Sequence, residues 1–131
     1  MTMRVKRTVE IAMANYDCIS GACAITYERT IGYATENMQL TSEEIDQIVR
    51  AWDGQISNLM IKHIPFIVAL HDKNGVVAIN PDGATSLIAG TGKGVWFVCA
   101  FAPMDQDKFG IMNECVQAAK NLETSVSVFD I

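Results

Sequence analysis

Residues 75–102 read GVVAINPDGATSLIAGTGKGVWFVCAFA, and the fold class turns on this stretch. Three apolar runs, Val76 to Asn80, Ala84 to Ala89 and Val95 to Ala102, are separated by turn chemistry. Pro81-Asp82-Gly83 makes one turn, in which Pro81 presets its own φ and Gly83 tolerates a positive one. Gly90-Thr91-Gly92-Lys93-Gly94 makes the next. Connections this short join antiparallel strands, because a parallel crossover needs a dozen or more residues. Val95 to Ala102 is the most apolar run and is expected at the centre of the sheet.

The same grammar continues upstream. Leu59 to Ile61 reads as a strand, followed by a turn containing Pro65. Phe66 to His71 is the next strand, closed by the turn Asp72-Lys73-Asn74-Gly75. Before these, Thr41-Ser42-Glu43-Glu44 is a capping box, in which hydroxyl and carboxylate each satisfy an orphan N–H at a helix start. Ile45, Ile48, Val49 and Trp52 then fall at i, i+3, i+4 and i+7, one buried stripe ended by Asp53-Gly54. Two further strands, Ile19 to Tyr27 and Thr30 to Thr35, turn at Glu28-Arg29. A first helix spans about Arg4 to Asn15, with Val5, Val9, Ala12 or Met13, and Tyr16 on one face. A last helix runs from about Asp105 to Thr124. Asp105 and Asp107 suit its positive end, and Phe109, Met112, Cys115, Val116 and Ala119 give its apolar face. The order is helix, two strands, helix, five strands, helix: an α+β chain with one antiparallel sheet.

Composition narrows the class. The chain has 131 residues, half of them hydrophobic and 19% charged. That is one domain's length, with apolar surface enough to fold without a disulfide or metal staple. Net charge is −5, which disfavours a nucleic-acid binder. Residues 36–58 hold five acids and one base, net −4, whereas residues 59–104 are net +1. No apolar run approaches the ~18 residues of a membrane span, and no secretory cleavage site follows the basic start, so the cytoplasm is the expected location. Cys18, Cys23, Cys99 and Cys115 form no CxxC pair and read as buried free thiols.

Candidate chemistry is sparse. As a P-loop, the glycine-rich stretch at 90–94 has Leu87 where the first Gly belongs and Gly94 in place of the Ser/Thr, and a strand follows rather than a helix. A glycine hairpin is the simpler reading. His63 and His71 lack the third ligand that a metal site needs. No nucleophile motif or paired-carboxylate site is present, so no cofactor, metal or catalytic role is expected. Met104, Ile111 and Met112 cluster near the start of the last helix. They read either as an exposed partner patch or as a second core layer.

The order of elements resembles the profilin family. Ile19-Ser20-Gly21-Ala22-Cys23-Ala24-Ile25 is similar to its first strand, and Leu40-Thr41-Ser42-Glu43-Glu44-Ile45 to the start of its second helix. Gly75 to Ala89, Gly90–Gly94, Val95 to Ala102 and Pro103-Met104 resemble its strand–turn–strand run. The resemblance covers residues 19–122 and points to a divergent archaeal (Asgard-type) member. It implies a single profilin-like domain over residues 1–131. A central antiparallel sheet of about seven strands would carry the N- and C-terminal helices on one face and the middle helix on the other.

The resemblance also implies a monomer that binds monomeric actin and regulates filament assembly. By position, the actin face would comprise Ile56, Ser57, Ala69, His71, Lys73, Ile79, Pro81, Ser86, Met104, Lys108, Gly110 and Glu114. Ile79 and Pro81 stand where eukaryotic members often place basic residues. Gly110→Arg is expected to weaken binding without unfolding the chain. The family's second ligand, polyproline, docks on stacked aromatic rings. Here only Tyr33 is available for that role, so weak or absent polyproline binding is expected. The acidic balance argues against strong attraction to anionic lipid headgroups and leaves phosphoinositide binding open. The runner-up class is a small-ligand or GTPase-associated module of PAS, longin or roadblock type, which would need an interior pocket or a dimer made by extending the sheet edge.

Overall fold

The computed structural model describes residues 3–83, 85–103 and 106–126. Along the chain run α1 (Met3–Met13), β1 (Gly21–Thr26), β2 (Ile31–Ala34), a 3-10 turn (Glu36–Met38) and α2 (Ser42–Trp52). They are followed by β3 (Asn58–Ile61), β4 (Ile64–Asp72), β5 (Gly75–Ile79), β6 (Ser86–Thr91), β7 (Trp96–Ala102) and α3 (Lys108–Ser125). The strands form one antiparallel sheet in the order β2-β1-β7-β6-β5-β4-β3. β7 is interior, between β1 and β6, while the middle place belongs to β6.

Strand alternation sends side chains to two cores. On one face, Ile45, Ile48 and Val49 of α2 pack on Ile25, Phe66, Val76, Ala78, Leu87, Phe97 and Cys99. On the other, α1 and α3 bury Val5, Val9, Ile111, Cys115, Ala119 and Leu122 against Ala24, Val77, Ile88, Val98 and Ala100. The expected architecture of terminal helices on one face and the middle helix on the other is what forms.

The capping box is present. Thr41 Oγ1 accepts from the Glu44 N–H at 3.1 Å, and the Glu44 carboxylate accepts from the Thr41 N–H at 2.9 Å. The second carboxylate oxygen accepts from the Lys62 N–H at 2.6 Å, tying α2 to the β3–β4 turn. Burial works against the Glu44 charge, yet the backbone donors of Lys62 and Thr41 hold its pKa below the ordinary value. One turn later, Gln47 accepts from the Met60 N–H at 2.7 Å and donates to its carbonyl at 3.1 Å. Both backbone groups of Met60, on the edge strand β3, are thereby occupied. A free sheet edge invites pairing with another chain, and the α2 side chain blocks this one at Met60.

Several boundaries differ from expectation, each for a local reason. The β3–β4 turn is Lys62-His63, both at positive φ (54° and 65°), so Pro65 lies inside β4 opposite Met60. The strand begun at Ala84 starts at Ser86 and continues through Gly90 and Thr91, which removes these two from the turn. α3 starts at Lys108, and Asp107 caps it by accepting from the Gly110 N–H at 3.0 Å. Phe109, expected in its apolar face, is 65% exposed, whereas Ile111 is wholly buried and Met112 packs half-buried on the core. The reading of these two as a second core layer is therefore the correct alternative.

Two glycines explain how α3 comes to lie so close on the sheet. Gly75 pairs with Gly90 across β5 and β6. A Cβ on Gly90 would meet the Val116 backbone nitrogen at 2.5 Å and the Cys115 carbonyl carbon at 2.8 Å. A Cβ on Gly75 would meet the Met112 sulfur at 3.1 Å. Without a side chain at Gly90, the helix backbone rests almost directly on β6, while bare Gly75 leaves room for Met112.

Candidate functional site

α3 covers only part of its sheet face, and what it leaves open forms the candidate interface. Leu70, opposite Val77, still packs under the helix. The next row runs Asn58, Ile67, Ile79 and Ser86 across β3 to β6. Along it burial fades outward: Ser86 is buried, Ile79 half-buried and Ile67 44% exposed. Phe66 and Val68 belong to the α2-side core, so alternation turns Ile67 to the open face. Met60, 51% exposed, and Pro65 continue the apolar surface to the sheet edge. Separately, a groove of about 470 Å³ opens between the β4–β5 turn and α3. Asp72, Asn74, Phe109, Asn113, Gln117 and Lys120 are among its walls. An exposed apolar strip with a polar rim is the composition of a protein-docking surface.

The expected face residues separate into groups. Ala69 is exposed at the β4 bulge, where the register slips between Val68 and Leu70. Ile79 sits in the open row, Pro81 is exposed in the β5–β6 turn, and Lys108 opens α3. Lys73 is exposed in the β4–β5 turn, and its carbonyl accepts from Trp52 Nε1 at 3.0 Å. Ile56, Ser57 and His71 line a second depression beside the end of α2, with Gly54 and Val68. There His71 Nε2 donates to the Trp52 carbonyl. Because His71 is opposite Val76 of the α2-side core, this group lies round the edge from Ile67 and Ile79.

Three expected positions are engaged within the chain, and Met104 lies outside the described residues. Ser86 is fully buried, and its Oγ donates to the Ala102 carbonyl at 2.9 Å. Glu114 turns toward α1, accepting from Asn15 Nδ2 at 3.1 Å. Gly110 lies under two side chains, since a Cβ there would collide with the Tyr16 hydroxyl and lie 2.9 Å from Asp107 Cγ. For Gly110→Arg, the Tyr16 and Asp107 side chains would have to swing aside at the start of α3. The same crowding acts on Tyr16: desolvation, then the charges of Asp107 and Glu114, raise its pKa. Sequence reasoning missed Ile67, Met60 and Phe109, whose exposure follows from where α3 ends its coverage.

No protein-family model and no curated protein sequence matches the chain. Solved structures do. LokiProfilin2, a Loki (Asgard) profilin solved in complex with rabbit actin, superposes with a TM-score of 0.84 at 14% identity, covering 96% of this chain and all of its own. The chain has the profilin fold. Schizosaccharomyces pombe profilin matches with a TM-score of 0.73 at 10% identity, covering 91% of this chain and 96% of its own. Mouse profilin IIa, solved with a double repeat from the FH1 domain of mDia1, matches at 0.69 with 18% identity, covering 92% and 96%.

Within this profilin fold, the groove between α1 and α3 is lined by Thr8, Ile11, Ala12, Asn15, Glu114, Gln117, Ala118 and Asn121. None of these residues is aromatic. Tyr33 is half-buried against the α1/α3 core. Trp96 is fully buried, and its Nε1 donates to the Val126 carbonyl at 3.3 Å. Among the described residues no cluster of three His, Cys, Asp or Glu fits a metal ion, and no helix is long and apolar enough to cross a membrane.

Proposed function

We propose that this chain binds monomeric actin and regulates filament assembly by occupying one end of the monomer. The observation that carries this reading is the apolar strip of Met60, Ile67 and Ile79, left open by α3 on a profilin-fold sheet. LokiProfilin2 and LokiProfilin1, each solved in complex with rabbit actin, support it. The contact set is Met60, Ala69, Ile67, Ile79, Pro81, Phe109 and Lys108, with Lys73 at the turn. Ile56, Ser57 and His71 flank it from the α2 side, and Gly110 and Glu114 position α3 and α1 behind it.

The same reading makes the chain a non-enzymatic cytoplasmic protein that acts as a monomer. Its α1/α3 groove, without an aromatic wall, favours weak or absent polyproline binding. Titration with a proline decamer checks this, and micromolar affinity would contradict it. The small-ligand or GTPase-associated alternative gains no support, because the matched structures are profilins. Pyrene-actin polymerisation tests the function. Slower nucleation with increasing protein is expected, and an unchanged time course at saturating protein would refute it.

A further inference from the structure

The glycine-rich turn between β6 and β7 is not a phosphate cradle, yet its amides do hold an anion. Glu123 of α3 places its carboxylate among them. Oε2 accepts from the N–H groups of Val95 at 3.0 Å, Trp96 at 3.1 Å and Lys93 at 3.1 Å, and Oε1 accepts from Lys93 at 2.9 Å. Gly94, at φ 84°, turns the chain so that these donors converge. Thr91 braces the turn by accepting from the Gly94 N–H at 3.0 Å and donating to the Trp96 carbonyl at 2.6 Å.

The carboxylate also lies tight against the turn. Gly92 is the residue over which the carboxylate lies. A Cβ there would collide with Glu123 Oε1 and sit 2.7 Å from Lys120 Cγ. Converging backbone N–H groups form anion-binding concavities, and a carboxylate matches them better than a neutral group because charge-assisted bonds are roughly twice as strong.

We propose that the β6–β7 turn is a carboxylate-binding amide nest whose built-in ligand is Glu123, pinning the last turns of α3 to the sheet. The N-terminal half of α3 is held by the close approach over Gly90, and the C-terminal half by this charge. Withdrawal of the carboxylate frees three amides at once and leaves a vacant site whose ligand class is small carboxylates such as formate and acetate.

The test is hydrogen exchange read residue by residue. In Glu123→Gln the amides of Lys93, Val95 and Trp96 should exchange at least about tenfold faster, the loss of a charge-assisted set of bonds, while amides of β5 keep their protection. Gly92→Ala should reproduce the pattern by expelling the carboxylate without altering its charge. In Glu123→Ala, added sodium formate should restore protection of the three amides, and sodium chloride at equal ionic strength should not. Unchanged exchange in Glu123→Gln and Gly92→Ala, or equal effects of formate and chloride, would overturn the proposal.

Discussion

Replacing Gly90 by alanine adds one methyl group where the structure allows none. The new Cβ would stand 2.5 Å from the Val116 nitrogen and 2.8 Å from the Cys115 carbonyl carbon. Both are backbone atoms of α3, so no side chain can rotate aside. An ordinary contact requires about 3.5 Å, so the helix must lift by about 1 Å. Ile111, Cys115, Ala119 and Leu122, all fully buried on this face, then lose contact with Ile88 and Val98 together. Overpacking of a tight core costs roughly 1–3 kcal/mol, and a strain that backbone cannot relieve belongs at the upper end, about 3 kcal/mol. For a chain of this size that corresponds to a fall in Tm of roughly 10 °C. Thermal unfolding followed by circular dichroism measures it. Gly83→Ala is the control: Gly83 has φ 79° and open space around its Cβ position, so only backbone strain of about 1 kcal/mol applies. If Gly90→Ala were no worse than Gly83→Ala, the close docking of α3 would be wrong.

Three further outcomes follow from local geometry. Glu44 has a lowered pKa through donors that exist only in the folded chain; its contribution is therefore present above the unfolded value, ~4.3, and lost as pH falls through the folded one. Urea unfolding from pH 7 to 3 should show a shallower acid loss in Glu44→Gln, and an identical slope would contradict the assignment. Gln47→Ala should uncover Met60 on the β3 edge, costing about 1 kcal/mol and producing concentration-dependent self-association in sedimentation velocity. Thiol labelling of the native chain at pH 8 should modify Cys18 alone, because Cys23, Cys99 and Cys115 are buried. A hydrogen bond with Cys23, then burial, raises the pKa of Cys99 well above the thiol range, and burial pushes Cys115 up to about 12. Rapid labelling of a second native cysteine would contradict it.

What the sequence made legible was local. Thr41-Ser42-Glu43-Glu44 carries its capping chemistry within four residues, so α2 could be placed with its buried stripe. The turn at Lys62-His63 carries no such mark, since neither residue is the Gly or Asn that favours positive φ, and Pro65 drew the turn past its true place. α3 misled for a different reason. It buries one side against the sheet and another against α1, so Cys115, Ala118 and Leu122 are all covered and no single stripe marks its core. Gly90 looked like turn glycine, but its role is to admit a helix that is distant in sequence. The open row at Ile67 and Ile79 follows the same logic: alternation tells which residues share a face, whereas how far α3 reaches across that face is a tertiary fact.

The proposed actin contact is that open row. Isothermal titration of monomeric actin from the same source, with the wild-type chain and with Ile67→Asp, tests this most directly. Ile67 is 44% exposed but paired inside β4, so circular dichroism must show both chains folded at the titration temperature. Burying its free surface is worth about 1–2 kcal/mol, so affinity should fall at least about tenfold from a one-to-one wild-type complex. No heat of binding from the wild-type chain, or equal affinity in Ile67→Asp, would contradict it.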